Sequence, residues 1–360
     1  MQDTNIDFMG PNGGSGALAS EMSSGRFDVG RKRPYIGSDG KAYVTVYTGG
    51  NPKSKNSWKS LQVNAGTLRR DEWKQIDDVL LGIRDNRLDG TSFLLNRGLV
   101  FNLGNAMGTT VLEYHTEGDA LTAELSMDAV TRTTNDRQEF DSVYLPIPIV
   151  HVDWDINERV LESSRRLGNP LDTTSTERAA RRVMEKQEEM LFTDTKYKFG
   201  GGQIYSFLNF PHRDTSIEIS DWADPAVTGE DIVQEVLEMK QASIANRHYG
   251  PFAVFIPNKY ETKLDEDYSS AKGDKTIRQR ILDIANIENI VVVDTLPADN
   301  VVLVQLTNDV VRIVQGIALQ NIQWMSQGGF VNKFKTMSIQ VPQLRADQEG
   351  RTGIVHAKTP

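Results

Sequence analysis

The chain has 360 residues, enough for one large domain or two to three ordinary ones, and its 38% apolar and 25% charged residues exclude wholesale disorder. No run of about eighteen apolar residues marks a membrane span, MQDTNIDFMGPNGG lacks the basic-then-apolar pattern of a secretory signal, and the absence of cysteine removes disulfides, thiolate metal sites and cysteine nucleophiles. The net charge of −9 argues against a whole-surface grip on nucleic acid.

That charge is unevenly spread. Residues 1–66 hold 8 Lys/Arg against 5 Asp/Glu and 11 of the 29 glycines, so the remainder carries the acidity. The stretch reads as an extended arm, with strand composition at AYVTVY (42–47). Its basic positions include Arg31, Lys32 and Arg33, and Trp58 is a candidate anchor on a neighbour. A solvated tail and an arm laid across another subunit or a polyanion are both compatible with it. Over 67–88 the spacing of Trp73, Ile76, Leu80 and Ile83 predicts a helix, capped by Thr67 and stopped near Gly90. The polar segment from Gly104 to about Asp141 predicts a long protruding hairpin around a turn at 115–119, with too little apolar content for a core.

Residues 143–156 read as one strand, with Val152, Trp154 and Ile156 on one face and His151, Asp153 and Asp155 on the other. RRLGNPLD (165–172) reads as a turn. A long helix over about 174–194 buries Ala180, Val183, Met184 and Leu191. Its other faces carry Arg178, Arg181, Arg182, Glu185, Lys186 and Glu188. FGGGQIYSF (199–207) reads as a glycine hinge into a loop. A helix follows from Thr228, with Asp231 at capping-box spacing and Ile232, Val233, Val236, Leu237 and Ile244 as its apolar face. FAVFIP (252–257), a helix over 277–287, and strands at 289–294, 300–306 and 309–315 complete a compact α/β unit. Strand alternation returns over 317–342, and the polar tail from Arg345 is expected to be loosely ordered.

Motifs for chemistry are missing. There is no phosphate loop, no dinucleotide fingerprint, no H-E-x-x-H and no G-x-S-x-G. Gly200, Gly201 and Gly202 follow a helix instead of opening one, so the dipole points the wrong way for an anion. His151, Asp153 and Asp155 could meet a divalent ion, but a half-buried strand with a wet face already explains them. No nucleophile, base and orienter assemble, so no catalytic, cofactor or metal site is expected and the chain is not expected to be an enzyme.

The element order carries a family resemblance. A helical DEWKQIDDVLLGIRDNRLDGTSFL precedes a long hairpin, an alternating strand and RRLGNPLD. A charged helix follows, ending MLFTDTKYKFGGGQIYSFLN, and GPFAVFIPNKY opens the α/β lobe. From about residue 67 onward, roughly four-fifths of the chain, this resembles the encapsulin (linocin-like) proteins. These share the HK97-type fold with the major capsid proteins of tailed phages. The resemblance implies an α+β HK97-like capsid fold. Its map is an N-terminal arm at 1–66, an N-terminal helix and the start of the P-domain at 67–102, and an E-loop at 103–141. The P-domain and its spine helix then cover 142–209, the A-domain 210–318, and the P-domain return strand and C-terminal tail 319–360.

The function it implies is a major capsid protein that self-assembles into pentamers and hexamers of an icosahedral head. The shell would enclose double-stranded DNA without sequence-specific binding, be built in the host bacterial cytoplasm and end in the virion. Portal, scaffolding and cement or decoration proteins are the further expected partners, and no membrane is. A separate scaffold is expected because no removable segment is evident after Met1. The alternative is an encapsulin nanocompartment holding a cargo enzyme; simple encapsulins begin near the 67–88 helix, and the additional arm favours the phage reading. Arg132, Arg137, Glu139 and Asp141 are candidates for inter-subunit ion pairs, and Gly104, Gly108 and Gly200–Gly202 for hinges between quasi-equivalent positions. The Lys, Asn and Glu of an isopeptide cross-link do not map onto this chain, and no residue carries over a flavin site.

Overall fold

The computed structural model describes residues 35–36, 42–47, 58–63, 89–117, 140–167, 174–269, 275–327 and 330–359. The helix expected over 67–88, most of the N-terminal arm and the hairpin tip lie outside them. Within the arm, β1 (Tyr35–Ile36), β2 (Ala42–Tyr47) and β3 (Trp58–Val63) form a small antiparallel sheet.

Two four-stranded sheets organise the body. The first has the order β4 (Val100–Asn102), β13 (Val311–Ser326), β14 (Val331–Leu344), β7 (Val150–Asn157). The long helix α3 (Thr174–Phe192) packs across β14 and β7 and buries Ala179, Ala180, Val183 and Met184. The second sheet has the order β11 (Ile287–Val293), β10 (Phe252–Pro257), β12 (Asn300–Gln305), β15 (Ile354–Lys358). The centres of its strands are apolar because both faces are covered, most completely in β10 and β12. Phe252, Val254 and Ile256 of β10 face a core under α4 (Gly229–Ala245) and α6 (Ile277–Leu282). Ala253 and Phe255 face a second core shared with α1 (Asp89–Asn96) and the end of α3. Between α4 and α6, a 3₁₀ turn at Asn258–Tyr260 leads from Pro257 into α5 (Glu261–Leu264).

Several expectations change. Gly90 is not a helix stop; it lies in the first turn of α1. Residues 143–156 form two strands, β6 (Phe140–Pro146) and β7, because Pro146 and Pro148 interrupt the ladder. His115, Thr116 and Glu117 are not a turn but the end of β5 (Val111–Glu117), paired with Ser142, Asp141 and Phe140 of β6. Arg165, Arg166 and Leu167 end a helix, α2 (Glu158–Leu167). The helix expected over 277–287 stops at Leu282, and Ile287 opens β11. Residues 309–315 do not form a strand of the α/β lobe; from Val311 they belong to β13, which runs on into the first sheet. Leu237 is exposed and Met239 takes the buried position on α4. The capping box of α4 is present, with Asp231 N donating to Thr228 Oγ1 (3.3 Å) and Thr228 N to Asp231 Oδ2 (3.0 Å).

The C-terminal tail is not loose. β15 pairs with β12 and buries Ile354, Val355 and Ala357. His356 sits among them. Arg213 Nε donates to its Nδ1 (3.2 Å), so the ring proton lies on Nε2, which donates to Asn300 Oδ1 (2.8 Å). Burial, then the charges of Arg213 and Lys358, push its pKa from the ordinary 6.5 down to about 4. The unfolded chain therefore takes up this proton more readily than the folded one, and acid favours unfolding. The melting temperature is expected to fall as pH drops from 6.5 towards 4, and less so in His356→Gln. Equal pH slopes for the two proteins would refute the assignment.

Candidate functional site

The hairpin expected to protrude is described as far as Glu117 and Phe140, and this part is rooted on the body by two supports. Its strands β5 and β6 pair in one unbroken register from Val111↔Pro146 to Glu117↔Phe140. Their apolar side chains Leu112, Tyr114 and Leu145 pack with Phe101, Val314, Ile339 and Val341 over the first sheet. The first support is the hairpin β8 (Lys198–Phe199) to β9 (Gly202–Gln203) that follows α3. Gly200 (φ 58°) and Gly201 (φ 81°) are its two turn residues, the positive-φ pair that a tight type I′ connection requires. A Cβ on Gly202 would lie 2.0 Å from the carbonyl oxygen of Tyr144, and one on Gly200 2.6 Å from Val111 Cγ2. The glycines thus let this turn abut both hairpin strands.

The second support is the loop after β14. Gln348 Nε2 donates to Thr116 O (3.3 Å), and Arg345 Nη2 reaches His115 O at 3.5 Å, the limit of hydrogen bonding. Arg345 also lies over the Tyr114 ring (5.9 Å), and Arg312 over Phe101 (4.4 Å) with its Nε donating to Gln343 Oε1 (2.6 Å). Burial pushes the Tyr114 phenol above its usual range, against the pull of Arg345.

A third fixed point joins α1 to α3. Glu188 was expected on a solvated face but is 5% exposed. Its carboxylate accepts from Gly90 N (3.0 Å) and Thr91 N (3.3 Å), the free donors of the first turn of α1. The approach requires glycine, since a Cβ on Gly90 would lie 2.3 Å from the Phe192 ring. Burial raises the pKa of Glu188 despite these hydrogen bonds.

The candidate contact residues scatter. Arg31, Lys32, Arg33, Arg132, Arg137 and Glu139 lie outside the described residues. Trp58 opens β3 opposite Tyr47, and Asp141 stands in β6 opposite Thr116. Gly104 and Gly108 lie in the turn between β4 and β5, where Asn105 Oδ1 accepts from Gly108 N (3.2 Å). His151, Asp153 and Asp155 are exposed along β7, and Asp153 pairs with Lys335 (3.3 Å). The three aromatic side chains more than half exposed among the described residues were not singled out by the sequence. They are Phe199 (52%) beside the hairpin root, Tyr249 (63%) after α4, and Phe330 (71%) at the turn from β13 to β14. The supporting residues Arg312 and Glu188 were also missed. A signal existed for both: an arginine inside the apolar run DVVRIVQ and a carboxylate two residues before the apolar end of α3, Met190–Phe192.

A family model described as "Family of unknown function (DUF6260)" matches residues 63–357. The chain belongs to this family. Among curated proteins, it is 22% identical over 216 residues to the type 1 encapsulin shell protein EncA of Myxococcus xanthus (strain DK1622), covering 59% of this chain and 69% of that one. Among solved structures, it is similar to a virus-like particle from Pyrococcus furiosus, with a TM-score of 0.58 and 15% identity, over 79% of this chain and 99% of that one. It is also similar to the capsid of Myoviridae phage XM1, with a TM-score of 0.57 and 14% identity, over 75% and 92% of the two chains. This family member has the HK97-type fold, with the mixed helix and sheet body that the sequence resemblance implied.

The Glu188 contact has a measurable consequence. Glu188→Ala orphans two buried N–H groups and opens a cavity, and is expected to cost about 2–4 kcal/mol of unfolding free energy in urea. Glu188→Gln keeps one acceptor and removes a buried charge, and is expected to cost under about 1 kcal/mol. Equal losses in the two variants would show that the contact to α1 is not what the residue supplies.

Proposed function

We propose that this chain is a structural shell subunit without a catalytic step, and specifically the major capsid protein of a tailed phage, closing an icosahedral head around double-stranded DNA. The observation that carries the shell reading is the hairpin 111–146, rooted on the body from two sides, with the polar sequence 118–139 joining its last described pair, Glu117↔Phe140. A segment so long and so poor in apolar residues does not stabilise its own core, whereas contact with another subunit gives it a use. The fold shared with a phage capsid and a virus-like particle supports the same reading. Many modest contacts repeated around a closed shell reinforce one another through linkage. The partners on this reading are further copies of the chain, with portal, scaffold and cement proteins in the virion.

A second reading, an encapsulin compartment around a protein cargo, is favoured by the similarity to EncA. Electron microscopy of the particles separates the two. Angular heads filled with DNA support the capsid, small uniform shells with protein inside support the compartment, and no shells under any condition overturn both. The hairpin itself can be tested by joining Glu117 to Phe140 through Asn-Gly, which suits a two-residue turn in the observed register. The subunit is expected to keep its circular dichroism and cooperative melting but to form no shells. Normal shells from this variant would remove the hairpin from the assembly contacts.

A further inference from the structure

Arg312 and Arg345 are half-buried guanidiniums at the hairpin root. Each lies over an aromatic ring, on Phe101 and Tyr114. Burial first, then the charge of Arg345, pushes the Arg312 pKa below its usual range. Among the described residues neither arginine has an ion-paired carboxylate; their polar partners are the Gln343 amide oxygen and the His115 carbonyl. Arg312 stands opposite Gln343 and Arg345 N donates to Val310 O, so the two arginines are diagonal neighbours at the β13–β14 ladder end, and their partly desolvated like charges repel. The planar donor fork of arginine suits a carboxylate or phosphate, and stacking on an aromatic face holds it in place with little further entropy to lose.

We propose that Arg312 and Arg345 form a two-guanidinium niche for an oxyanion, and that a carboxylate from a second copy of this chain fills it when copies associate. The source follows from charge complementarity. The chain carries −9 overall, and residues 118–139 alone hold Asp119, Glu124, Asp128, Asp136 and Glu139 against Arg132 and Arg137. The oxyanion chemistry stands on the arginines; the second-copy source rests on the shell reading.

The test uses the full-length chain with Arg312→Gln and Arg312→Lys. Three quantities are measured: the melting temperature of the dissociated subunit, the concentration at which it assembles in sedimentation velocity, and the response of both to inorganic phosphate against chloride at equal ionic strength. Arg312→Gln is expected to leave the subunit melting temperature nearly unchanged, because losing the Gln343 hydrogen bond and the Phe101 stacking offsets the repulsion removed. It is expected to raise the assembly concentration about 10-fold, the effect of losing one charge-assisted pair. Arg312→Lys, which keeps the charge but not the fork, falls between. Phosphate is expected to hinder wild-type assembly and not that of Arg312→Gln.

A drop of several degrees in the variant's subunit melting would mean a structural role and overturn the niche. Unchanged assembly of the variant beside normal wild-type shells overturns the niche and leaves the shell reading standing. Phosphate that raises wild-type subunit melting, while Arg312→Gln assembles normally, would make this a free-phosphate site and overturn the second-copy source. A wild-type chain that never associates overturns the shell reading together with that source.

Discussion

The C-terminal end of α3 is where the two sheets become one body. Phe192 lies 5.4 Å from Phe207 and 5.2 Å from Phe255, and Phe207 lies 5.7 Å from Phe255. These rings tie the helix that spans the first sheet to the central strand of the second. α1 enters the same contact through Gly90, against Phe192, and is held by Glu188 one turn earlier on α3. Aromatic packing here removes a large apolar area from water and leaves little freedom of angle. The chain then leaves this point through β8 and β9, whose turn supports the hairpin root. The turn that supports the root of β5 and β6 is therefore tied to the same junction that joins the two sheets.

The remainder of α3 lies over a sheet face that is more polar than a core needs to be. Asn321, Gln323, Asn332, Thr336 and Ser338 are all buried. Trp154 stacks on Phe334 at 4.2 Å and donates to Thr336 Oγ1 (3.0 Å). Thr336 in turn donates to Asn321, Gln323 to Asn332, and Asn332 to Glu158 at the start of α2. Hydrophobic packing alone would tolerate a two-residue slip between β13 and β14, since alternation repeats every two residues. Directional partners do not tolerate it. The ladder already shifts register between Gln315 and Gln320, so a polar set beyond that shift specifies the pairing of the distal half of the hairpin.

What the sequence made legible follows from periodicity and capping. FAVFIP, the stripe on α3, the Thr228–Asp231 box and the alternation of β7 each depend on residues a few positions apart, and each appears in the structure. What it hid depends on distant partners. β15 has only short apolar content, and its burial comes from β12 and from residues 214–218 running alongside. Glu188 resembles any solvated helix glutamate until α1 is placed 98 residues away to receive it. Gly200–Gly202 read as a hinge because glycine permits motion, but two of them supply positive φ and the third a 2.0 Å approach to Tyr144. The contact surfaces were legible only as elements. Hairpin strands could be located, while the arginines beneath them could not.

A subunit built for association is under different constraints from one built to stand alone. Burying Phe330, Tyr249 and Phe199 on itself would strengthen the single chain, yet all three stay exposed. Placing a carboxylate beside Arg312 would relieve its repulsion with Arg345, yet none of the described residues supplies one. On the shell reading, each such choice lowers the stability of the free subunit and raises the gain on contact with another. The hairpin fits the same logic. Its strands are pinned at the root by Gly202, Gln348 and the packing of Leu112 and Tyr114, so β5 and β6 hold one direction up to Glu117↔Phe140. Fixing that direction before contact means that less conformational entropy is lost at the moment of association. On the shell reading, rigidity at the root and two arginines that lack a carboxylate among the described residues are two halves of one design: the first makes the proposed contact precise, and the second rewards it when a partner supplies the carboxylate.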